Sequence, residues 1–223
     1  PSDCMIKACI FDFDGILADT EELHHRSYQV VLEPLGAGFS WETYTQHYMA
    51  FDSSQAFAAA LQKADVKNPP AISELLEQKM QAFQQALESV DMSPLPGAIP
   101  AVKLAASRGP IALCTGAQRG DVTPLLRAFG LLDIFNAVVT SDDVAISKPD
   151  PESYRLAASR LEIPAAFCLA IEDTPGGLRS AKGAGCQTLG VTTTHTRDQL
   201  APLADQVIHS LLEFERSLDT FSA

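Results

Sequence analysis

The sequence predicts a Rossmann-like, doubly wound parallel α/β sheet into which an α-helical segment is inserted. The first observation is that short apolar runs alternate with segments of helical spacing in the second half of the chain, which is typical of a parallel sheet covered by helices. The second is that one further apolar run, at residues 5–11, stands alone before a gap of about 90 residues. The third is that this gap is rich in Ala, Gln, Glu and Leu and has helical rather than strand periodicity.

Each apolar run is a candidate strand, and the segments between the runs are candidate helices. The strands are expected at residues 5–11, 111–114, 137–140, 168–171, 188–191 and 206–208, and the core helices at 101–107, 124–129 and 151–161. The inserted segment offers four more helices, at 21–35, 41–48, 54–63 and 73–89. Residues 14–19 and the Pro/Gly-rich residues 91–97 are its candidate linkers. The predicted domains are therefore a core of residues 1–15 and 95–223 and a helical cap of residues 16–94.

The charge balance excludes one class of partner. The chain has 223 residues, with 16 Lys and Arg against 28 Asp and Glu, which gives a formal net charge of −12. A surface of this sign repels the phosphates of nucleic acids and the anionic face of a membrane, so neither is an expected partner. With 46% hydrophobic and 20% charged residues, the chain is apolar enough to fold rather than remain disordered.

The cysteines and the N-terminal segment predict a protein of a reducing compartment. Most of the cysteines lie in or beside apolar runs, where a reduced thiol packs as a small apolar side chain, and they form no Cys-x-x-Cys pair. The N-terminal segment has neither the pattern of a signal peptide nor an apolar run long enough to span a membrane. We expect a soluble, cytoplasmic protein that is monomeric or weakly dimeric. The cysteines are Cys4, Cys9, Cys114, Cys168 and Cys186.

Four polar signals lie at the ends of apolar runs. They are Asp12 and Asp14 after the first run, Thr115 after the second, Lys148 after the third, and Glu172 with Asp173 after the fourth. Ligands of open parallel sheets bind outside the carboxyl ends of the strands, so all four signals should converge on one crevice. Four carboxylates repel one another unless a cation or retained protons neutralise them, and oxygen ligands suit Mg²⁺. A carboxylate nucleophile, a metal, a hydroxyl and an ammonium are the parts that phosphoryl transfer needs.

In this order the motifs resemble those of the haloacid dehalogenase superfamily of phosphotransferases. The resemblance covers essentially the whole chain, including a helical cap between the first two motifs. It implies that Asp12 is the nucleophile that forms an aspartyl-phosphate and that Asp14 is the general acid and base. It further implies that Thr115 and Lys148 hold the phosphate and that Mg²⁺ is bound by Asp12, the backbone carbonyl of Asp14, Glu172 and Asp173. The second Asp of the first motif favours phosphate chemistry over dehalogenation, because true dehalogenases of the superfamily lack it.

A closer resemblance is to the branch that contains β-phosphoglucomutase and sugar-phosphate phosphatases. Residues 19–24 (Asp-Thr-Glu-Glu-Leu-His) continue the first motif as in that branch, and Lys79 with Phe83 matches its cap lysine and aromatic residue. The resemblance implies that His24 couples to Asp14 and that Lys79 meets a phosphate or hydroxyl of the substrate. From composition alone, His25 is as available as His24. Gly116 and Arg119, which follow Thr115, are further candidate substrate contacts.

One departure from the pattern of this branch bears on whether the expected activity is hydrolysis or phosphosugar isomerisation. Residues 49–54 (Met-Ala-Phe-Asp-Ser-Ser) lack the basic residue that in the mutase holds the second, non-reacting phosphate. We therefore expect Mg²⁺-dependent hydrolysis of a small phosphorylated metabolite, a sugar phosphate, through an aspartyl-phosphate. A β-phosphoglucomutase-type isomerase stays the alternative, and Ile16, which resembles the mutase residue at its position, favours it weakly.

Two other classes of protein also stay open. A receiver-like signalling module uses Asp, Mg²⁺, Thr and Lys as well, but it is much shorter and carries its acidic pair at the first strand, whereas Glu172-Asp173 comes last here. A non-catalytic binding protein on the same scaffold is disfavoured by the intact motif set. The aromatic and Met residues of the insertion are expected to form the core of the cap rather than a substrate cage. For Trp41, Met49 and Phe51 a substrate contact stays the alternative.

Overall fold

The computed structural model describes residues 6–49, 51–90 and 92–221. Cys4, Met5 of the first predicted strand, Ala50 and Asp91 of the predicted linker lie outside the described residues. The chain divides into two compact units: a sheet unit, Pro1–Asp19 with Ser93–Ala223, and a helical unit, Thr20–Met92.

The sheet unit is built on six parallel strands in the order β3-β2-β1-β4-β5-β6. The predicted parallel α/β sheet is confirmed. Its central strands are apolar on both faces and buried, as a sheet covered by helices on both sides requires. The strands are β1 (Ala8–Phe11), β2 (Ile111–Cys114), β3 (Ala137–Val139), β4 (Cys168–Glu172), β5 (Gln187–Val191) and β6 (Gln206–Ile208).

The register of the sheet places the strand ends side by side. Phe11 of β1 pairs with Leu113 of β2 on one side and with Ile171 of β4 on the other. The residues that follow, Asp12 and Glu172 among them, therefore leave the sheet at the same edge. The chain order reverses at β1, and such a switch point is where open α/β sheets form a crevice.

The helical unit is formed by α1 (Glu21–Leu32), α2 (Trp41–Thr43), α3 (Ser53–Lys63) and α4 (Ile72–Glu88). A short 3₁₀ turn, Glu33–Leu35, extends α1, and a π-helical turn, Tyr44–Tyr48, extends α2. All four helices expected in the insertion are present. The expectation that the aromatic residues form its core holds for Tyr28, Tyr44, Tyr48 and Phe57, which are buried in one cluster. It is wrong for Trp41 and Phe51, which are 45% and 43% exposed.

The sheet unit contains α5 (Ala98–Arg108), α6 (Arg119–Ala128), α7 (Glu152–Arg160), α8 (Pro175–Ala184), α9 (Arg197–Leu200) and α10 (Phe214–Phe221). Helix α6 begins well before the predicted start at Pro124, because the Asp142 carboxylate accepts a hydrogen bond from the Arg119 amide and so replaces a missing helical partner. Helix α8 has a Gly-rich sequence of low helix propensity, yet the Thr174 hydroxyl caps it and Pro175 occupies its first turn.

The four described cysteines are thiols. Cys9, Cys114, Cys168 and Cys186 are buried and form no disulfide among the described residues. Burial raises the pKa of the Cys114 thiol to about 12, so it stays protonated and packs as an apolar group.

Across the described parts of the chain, every helix is too short or too polar to traverse a lipid bilayer.

Candidate active site

Asp12 and Thr115 each lie directly after a strand of the sheet. The Asp12 amide donates to the carbonyl of Ile171, which carries the β1–β4 pairing one residue past β1 and places Asp12 beside the end of β4. The Thr115 amide donates to the carbonyl of Val139, so Thr115 follows β2 in the same way. Both side chains are buried, with exposures of 7% for Asp12 and 2% for Thr115.

Lys148 is the residue that joins these strand ends. Its ammonium donates to Asp12 Oδ1 at 2.9 Å, to Glu172 Oε1 at 2.6 Å and to the backbone carbonyl of Cys114 at 2.9 Å. One cation thus contacts the ends of β1, β2 and β4. The structure therefore brings together three of the four predicted signals through direct contacts.

Glu172 is the most enclosed carboxylate of the group, with an exposure of 0%. Its Oε1 also accepts a hydrogen bond of 2.9 Å from the Tyr154 hydroxyl, and its Oε2 accepts one of 3.1 Å from the Thr174 hydroxyl and one of 3.2 Å from the Asp173 amide. A buried carboxylate needs such donors, because removing it from water is otherwise costly. The Thr174 hydroxyl thus both caps α8 and binds the Glu172 carboxylate.

The pKa shifts describe a site with too much negative charge. Burial raises the pKa of the Asp12 carboxyl, the Glu172 carboxylate raises it further, and the Lys148 ammonium opposes both effects. Burial acts to lower the pKa of Lys148, but the carboxylates of Asp12 and Glu172 outweigh it and hold that pKa well above its ordinary value. Lys148 is thus a permanent cation, whereas Asp12 retains its proton to a higher pH than an exposed Asp.

The residues present fit a divalent cation. One carboxylate oxygen from each of Asp12, Glu172 and Asp173 lies within 4.8 Å of the other two, and all three residues are buried. When ionised, three carboxylates against one ammonium leave an excess of two negative charges, which a divalent cation offsets. Oxygen donors of this kind suit Mg²⁺.

Two glycines make room for this carboxylate cluster. A Cβ on Gly177 would lie 1.8 Å from Glu172 Oε1, and a Cβ on Gly15 would lie 1.9 Å from Asp173 Oδ2. Gly15 also has a φ of +72°, a conformation that disfavours other residues. Its amide donates to the carbonyl of Ala18, which closes the turn after Asp14, a half-buried residue. Any side chain at position 15 or 177 would displace a carboxylate of the proposed metal site.

The remaining candidates of the sheet unit, Thr115, Gly116 and Arg119, differ in the contacts that they make. The Thr115 hydroxyl accepts a hydrogen bond from the Ala117 amide, which forms a tight turn around the exposed Gly116. The Arg119 guanidinium donates to Asp143 Oδ2 at 2.6 Å and to the Val138 carbonyl at 3.2 Å. The structure thus gives Arg119 a structural ion pair, and a substrate contact by this residue stays a prediction.

The helical unit contains the predicted polar pair. Lys79 Nζ lies 3.1 Å from His24 Nδ1, and the His24 ring stacks on Phe83 at a centroid distance of 4.6 Å. Lys79 is 1% exposed, which is unusual for a lysine, and its ammonium lies 5.2 Å from the centre of the Tyr28 ring. His25 instead lies 3.0 Å from the carbonyl of Phe39. Geometry therefore separates the two neighbouring histidines, which composition could not.

Sequence reasoning missed three residues of the site. Tyr154 of α7 contacts Glu172, and Thr194 and His195, in the loop after β5, contact Asp173. The signal for Tyr154 was its position on the buried face of the helix that follows Lys148-Pro149, where a hydroxyl needs a polar partner. Nothing in the local sequence marks Thr194, because its partner is 21 residues away.

Comparison with known proteins identifies the family. The family model described as haloacid dehalogenase-like hydrolase matches residues 9–191, which includes every strand-end residue described above. This chain belongs to the haloacid dehalogenase-like hydrolase family. Protein CbbY of Cereibacter sphaeroides is 33% identical to it over 217 residues, 94% of each chain. Fructose-1-phosphate phosphatase YqaB of Escherichia coli (strain K12) is 32% identical over 188 residues, 82% of this chain and 94% of its own.

The similarity of this hydrolase to CbbY extends to the three-dimensional structure. CbbY from Rhodobacter sphaeroides, in complex with xylulose-(1,5)bisphosphate, superposes with a TM-score of 0.85 at 30% sequence identity, covering 94% of this chain and 96% of the other. The expected resemblance to haloacid dehalogenases is confirmed. The expected fold class is confirmed with it, because the similarity extends over nearly the whole length of both chains.

Proposed function

We propose that this hydrolase is a Mg²⁺-dependent phosphatase that cleaves a small sugar phosphate through an aspartyl-phosphate on Asp12. The observation that carries the proposal is the contact of one ammonium, Lys148, with both Asp12 and Glu172 beside the three-carboxylate cluster. An acidic cluster alone would repel a phosphate. A cluster that holds a lysine and fits a divalent cation can bind one.

In this proposal, Asp12 Oδ attacks the phosphorus atom while the bond from phosphorus to the sugar oxygen breaks. Asp14 gives a proton to the leaving oxygen and then takes a proton from the water that attacks the phosphorus of the aspartyl-phosphate. Phosphate leaves, and the Asp12 carboxylate is restored. Thr115 and Lys148 hold the phosphate oxygens throughout, and Lys148 balances the charge that grows on them.

Mg²⁺ would be held by Asp12, Glu172, Asp173 and the backbone carbonyl of Asp14. When bound, it would supply positive charge that offsets these carboxylates and attracts the phosphate oxygens. Asp12 must be an anion both to hold the metal and to act as the nucleophile. Because the pKa of its carboxyl is raised, the protein would release a proton as this anion forms.

We further propose that the sheet unit is the core domain and the helical unit the cap that selects the substrate. The support is the buried Lys79, whose ammonium would bind a hydroxyl or phosphate oxygen of the sugar, with His24 orienting it. The names of the relatives favour a sugar phosphate, since one is a fructose-1-phosphate phosphatase and another binds xylulose-(1,5)bisphosphate. Gly116 and Arg119 are weaker candidates for substrate contacts.

The test is phosphate release from a panel of sugar phosphates, including fructose 1-phosphate and xylulose 1,5-bisphosphate, with Mg²⁺ and with EDTA. Asp12→Asn should lower turnover by more than about a thousandfold, because the amide is not a nucleophile. The control is Asp133→Asn, the same substitution at an exposed position of the sheet unit. Full turnover by Asp12→Asn would refute the assignment of the nucleophile, and equal turnover in EDTA would refute the metal.

The second candidate is a β-phosphoglucomutase-type isomerase. Ile16 favours it, because this buried residue resembles the mutase residue at that position. The same assay separates the two, since a mutase converts β-glucose 1-phosphate to glucose 6-phosphate without net release of phosphate.

A further inference from the structure

The loop after β5 contacts the proposed metal ligand Asp173 from outside the four family motifs. The Thr194 hydroxyl forms a short hydrogen bond with Asp173 Oδ2, and His195 Nδ1 lies 3.1 Å from the backbone carbonyl of Asp173. Side chain and backbone of one residue are thus held by two consecutive residues of a different loop. No role proposed so far uses either of them.

Hydrogen-bonding capacity fixes the direction of both contacts. A carboxylate oxygen accepts only, so the Thr194 hydroxyl donates to Asp173 Oδ2. A carbonyl oxygen also accepts only, so Nδ1 of His195 carries its proton and donates. His195 Nδ1 also lies 2.9 Å from the Thr194 oxygen, so the same N–H is close enough to share its proton with that oxygen. This leaves the Thr194 proton committed to Asp173 and polarises the hydroxyl that donates it.

The loop that carries Thr194 is anchored to the sheet. The Thr192 amide donates to the carbonyl of Ile208 at the end of β6, and the Thr192 oxygen lies 3.0 Å from His209 Nδ1. On the other side, Thr196 and Gln199 form a capping box that begins α9. Because both flanks are fixed, Thr194 is presented on a rigid support rather than on a mobile turn.

Asp173 Oδ2 is enclosed from the opposite side by Gly15. A Cβ on Gly15 would approach both Asp173 Oδ2, at 1.9 Å, and the methyl carbon of Thr194, at 3.1 Å. The carboxylate oxygen thus lies between a glycine backbone and a donated hydroxyl. Holding one oxygen in this way restricts rotation of the carboxylate and sets the plane in which the second oxygen lies.

We infer that Thr194 is a positioning residue that orients the Asp173 carboxylate for the divalent cation, an inference that rests on the metal site of the proposed function. Without the hydroxyl, the carboxylate rotates more freely, and binding the cation must then restrict it. Partners that orient metal ligands typically contribute about 10- to 100-fold to metal affinity. Thr194→Val, which keeps the shape of the side chain but removes the donor, should raise the dissociation constant for Mg²⁺ by about tenfold or more.

The experiment measures Mg²⁺ binding directly by titration calorimetry of the intact, EDTA-treated and dialysed protein. Thr194→Ser keeps the hydroxyl and should bind Mg²⁺ nearly as wild type does. Thr193→Val is the matched control, because Thr193 is the adjacent threonine of the same loop and is exposed, as Thr194 is. In the activity assay, Thr194→Val should need about tenfold more Mg²⁺ for half-maximal rate and reach nearly the wild-type kcat at saturating Mg²⁺, a split that a structural role alone would not give.

Several results would overturn the inference. They are wild-type affinity in Thr194→Val, equally weak binding in Thr194→Ser or Thr193→Val, and no Mg²⁺ binding by the wild type. Thr194→Ala provides a second hydroxyl-free variant, and failure of both Thr194→Val and Thr194→Ala to fold would assign the hydroxyl to the fold instead. A wild type that binds Mg²⁺ but releases no phosphate refutes the proposed function while the binding data still decide the role of Thr194.

Discussion

Two adjacent glycines in the first turn of α8 provide a matched experiment on the site. A Cβ on Gly176 would meet no atom within 4 Å, whereas a Cβ on Gly177 would lie 1.8 Å from Glu172 Oε1 and 1.9 Å from its Cδ. Both positions are helical and neighbours in sequence, so Gly176→Ala and Gly177→Ala change the backbone preference equally. They differ in one contact, which is with the carboxylate of Glu172.

The expected loss of stability in Gly177→Ala follows from that contact. An ordinary C···O contact is about 3.3 Å, so Gly177→Ala forces Glu172 to move by roughly 1.5 Å. The move breaks the hydrogen bonds from Lys148 at 2.6 Å and from Tyr154 at 2.9 Å. Each such bond to a charged group contributes about 1.5–3 kcal/mol, and partial relaxation should leave a net loss of about 3 kcal/mol in the free energy of unfolding. Gly176→Ala should instead be neutral or stabilise the protein by up to about 1 kcal/mol.

The assays are urea denaturation and phosphate release. For a protein of this length, a difference of about 3 kcal/mol corresponds to a melting temperature lower by roughly 10 °C. Turnover by Gly177→Ala should fall by about a hundredfold, because a shift of Glu172 also displaces Lys148 from Asp12. Equal stability of the two variants would refute the steric argument. A destabilised Gly177→Ala with normal turnover would show that Glu172 does not control the position of Lys148.

Two further substitutions test other contacts. Tyr154→Phe removes one donor to the Glu172 carboxylate and should lower the free energy of unfolding by about 2 kcal/mol in urea titrations. The loss should exceed that of Tyr28→Phe, whose hydroxyl donates to the neutral hydroxyl of Ser53. An equal loss in both variants would contradict the role of charge. Asp143→Asn should cost about 1 kcal/mol at pH 7, since its Arg partners are partly exposed. Burial acts to raise the pKa of Asp143, but hydrogen bonds from Arg160 and Thr140 hold it below its usual range. The stabilisation by Asp143 is therefore fully present above pH of about 4 and is lost as the pH falls through the lower pKa of the folded state. A difference in urea stability between wild type and Asp143→Asn that stays constant down to pH 2 would refute this explanation.

The sequence predicted the sheet and the edge at which the candidate site residues lie, because both depend on local patterns. An apolar run followed by an acid or a lysine is visible within a few residues, as at Phe11-Asp12 and at Ile171-Glu172, and parallel strands end at one edge. Helix α8 was not among the predicted core helices. Its Pro175-Gly176-Gly177 start has low helix propensity, and packing of Leu178 into the sheet unit outweighs that propensity.

The contacts that orient the carboxylates could not be predicted, because they join residues distant in the chain. Tyr154 and Glu172 are 18 residues apart, and Thr194 and Asp173 are 21 apart. Periodicity predicted that α7 has a buried face, but not which of its polar atoms meets a carboxylate. The exposure of Trp41 escaped prediction for a similar reason, since composition shows that an aromatic residue needs burial without showing whether the small core of the helical unit has room for it.

The two glycines of the site explain how carboxylates come so close together in a folded protein. Three buried acids with a single lysine should push one another apart or retain protons, and the raised pKa of Asp12 shows that tendency. Gly15 and Gly177 nevertheless allow the backbone to approach Asp173 and Glu172 to distances that no side chain would permit. The fold thus compresses negative charge beyond what Lys148 offsets, and this stored repulsion is what a divalent cation would relieve. If the proposed metal site binds Mg²⁺, the protein should for this reason unfold at a lower urea concentration in EDTA than in Mg²⁺.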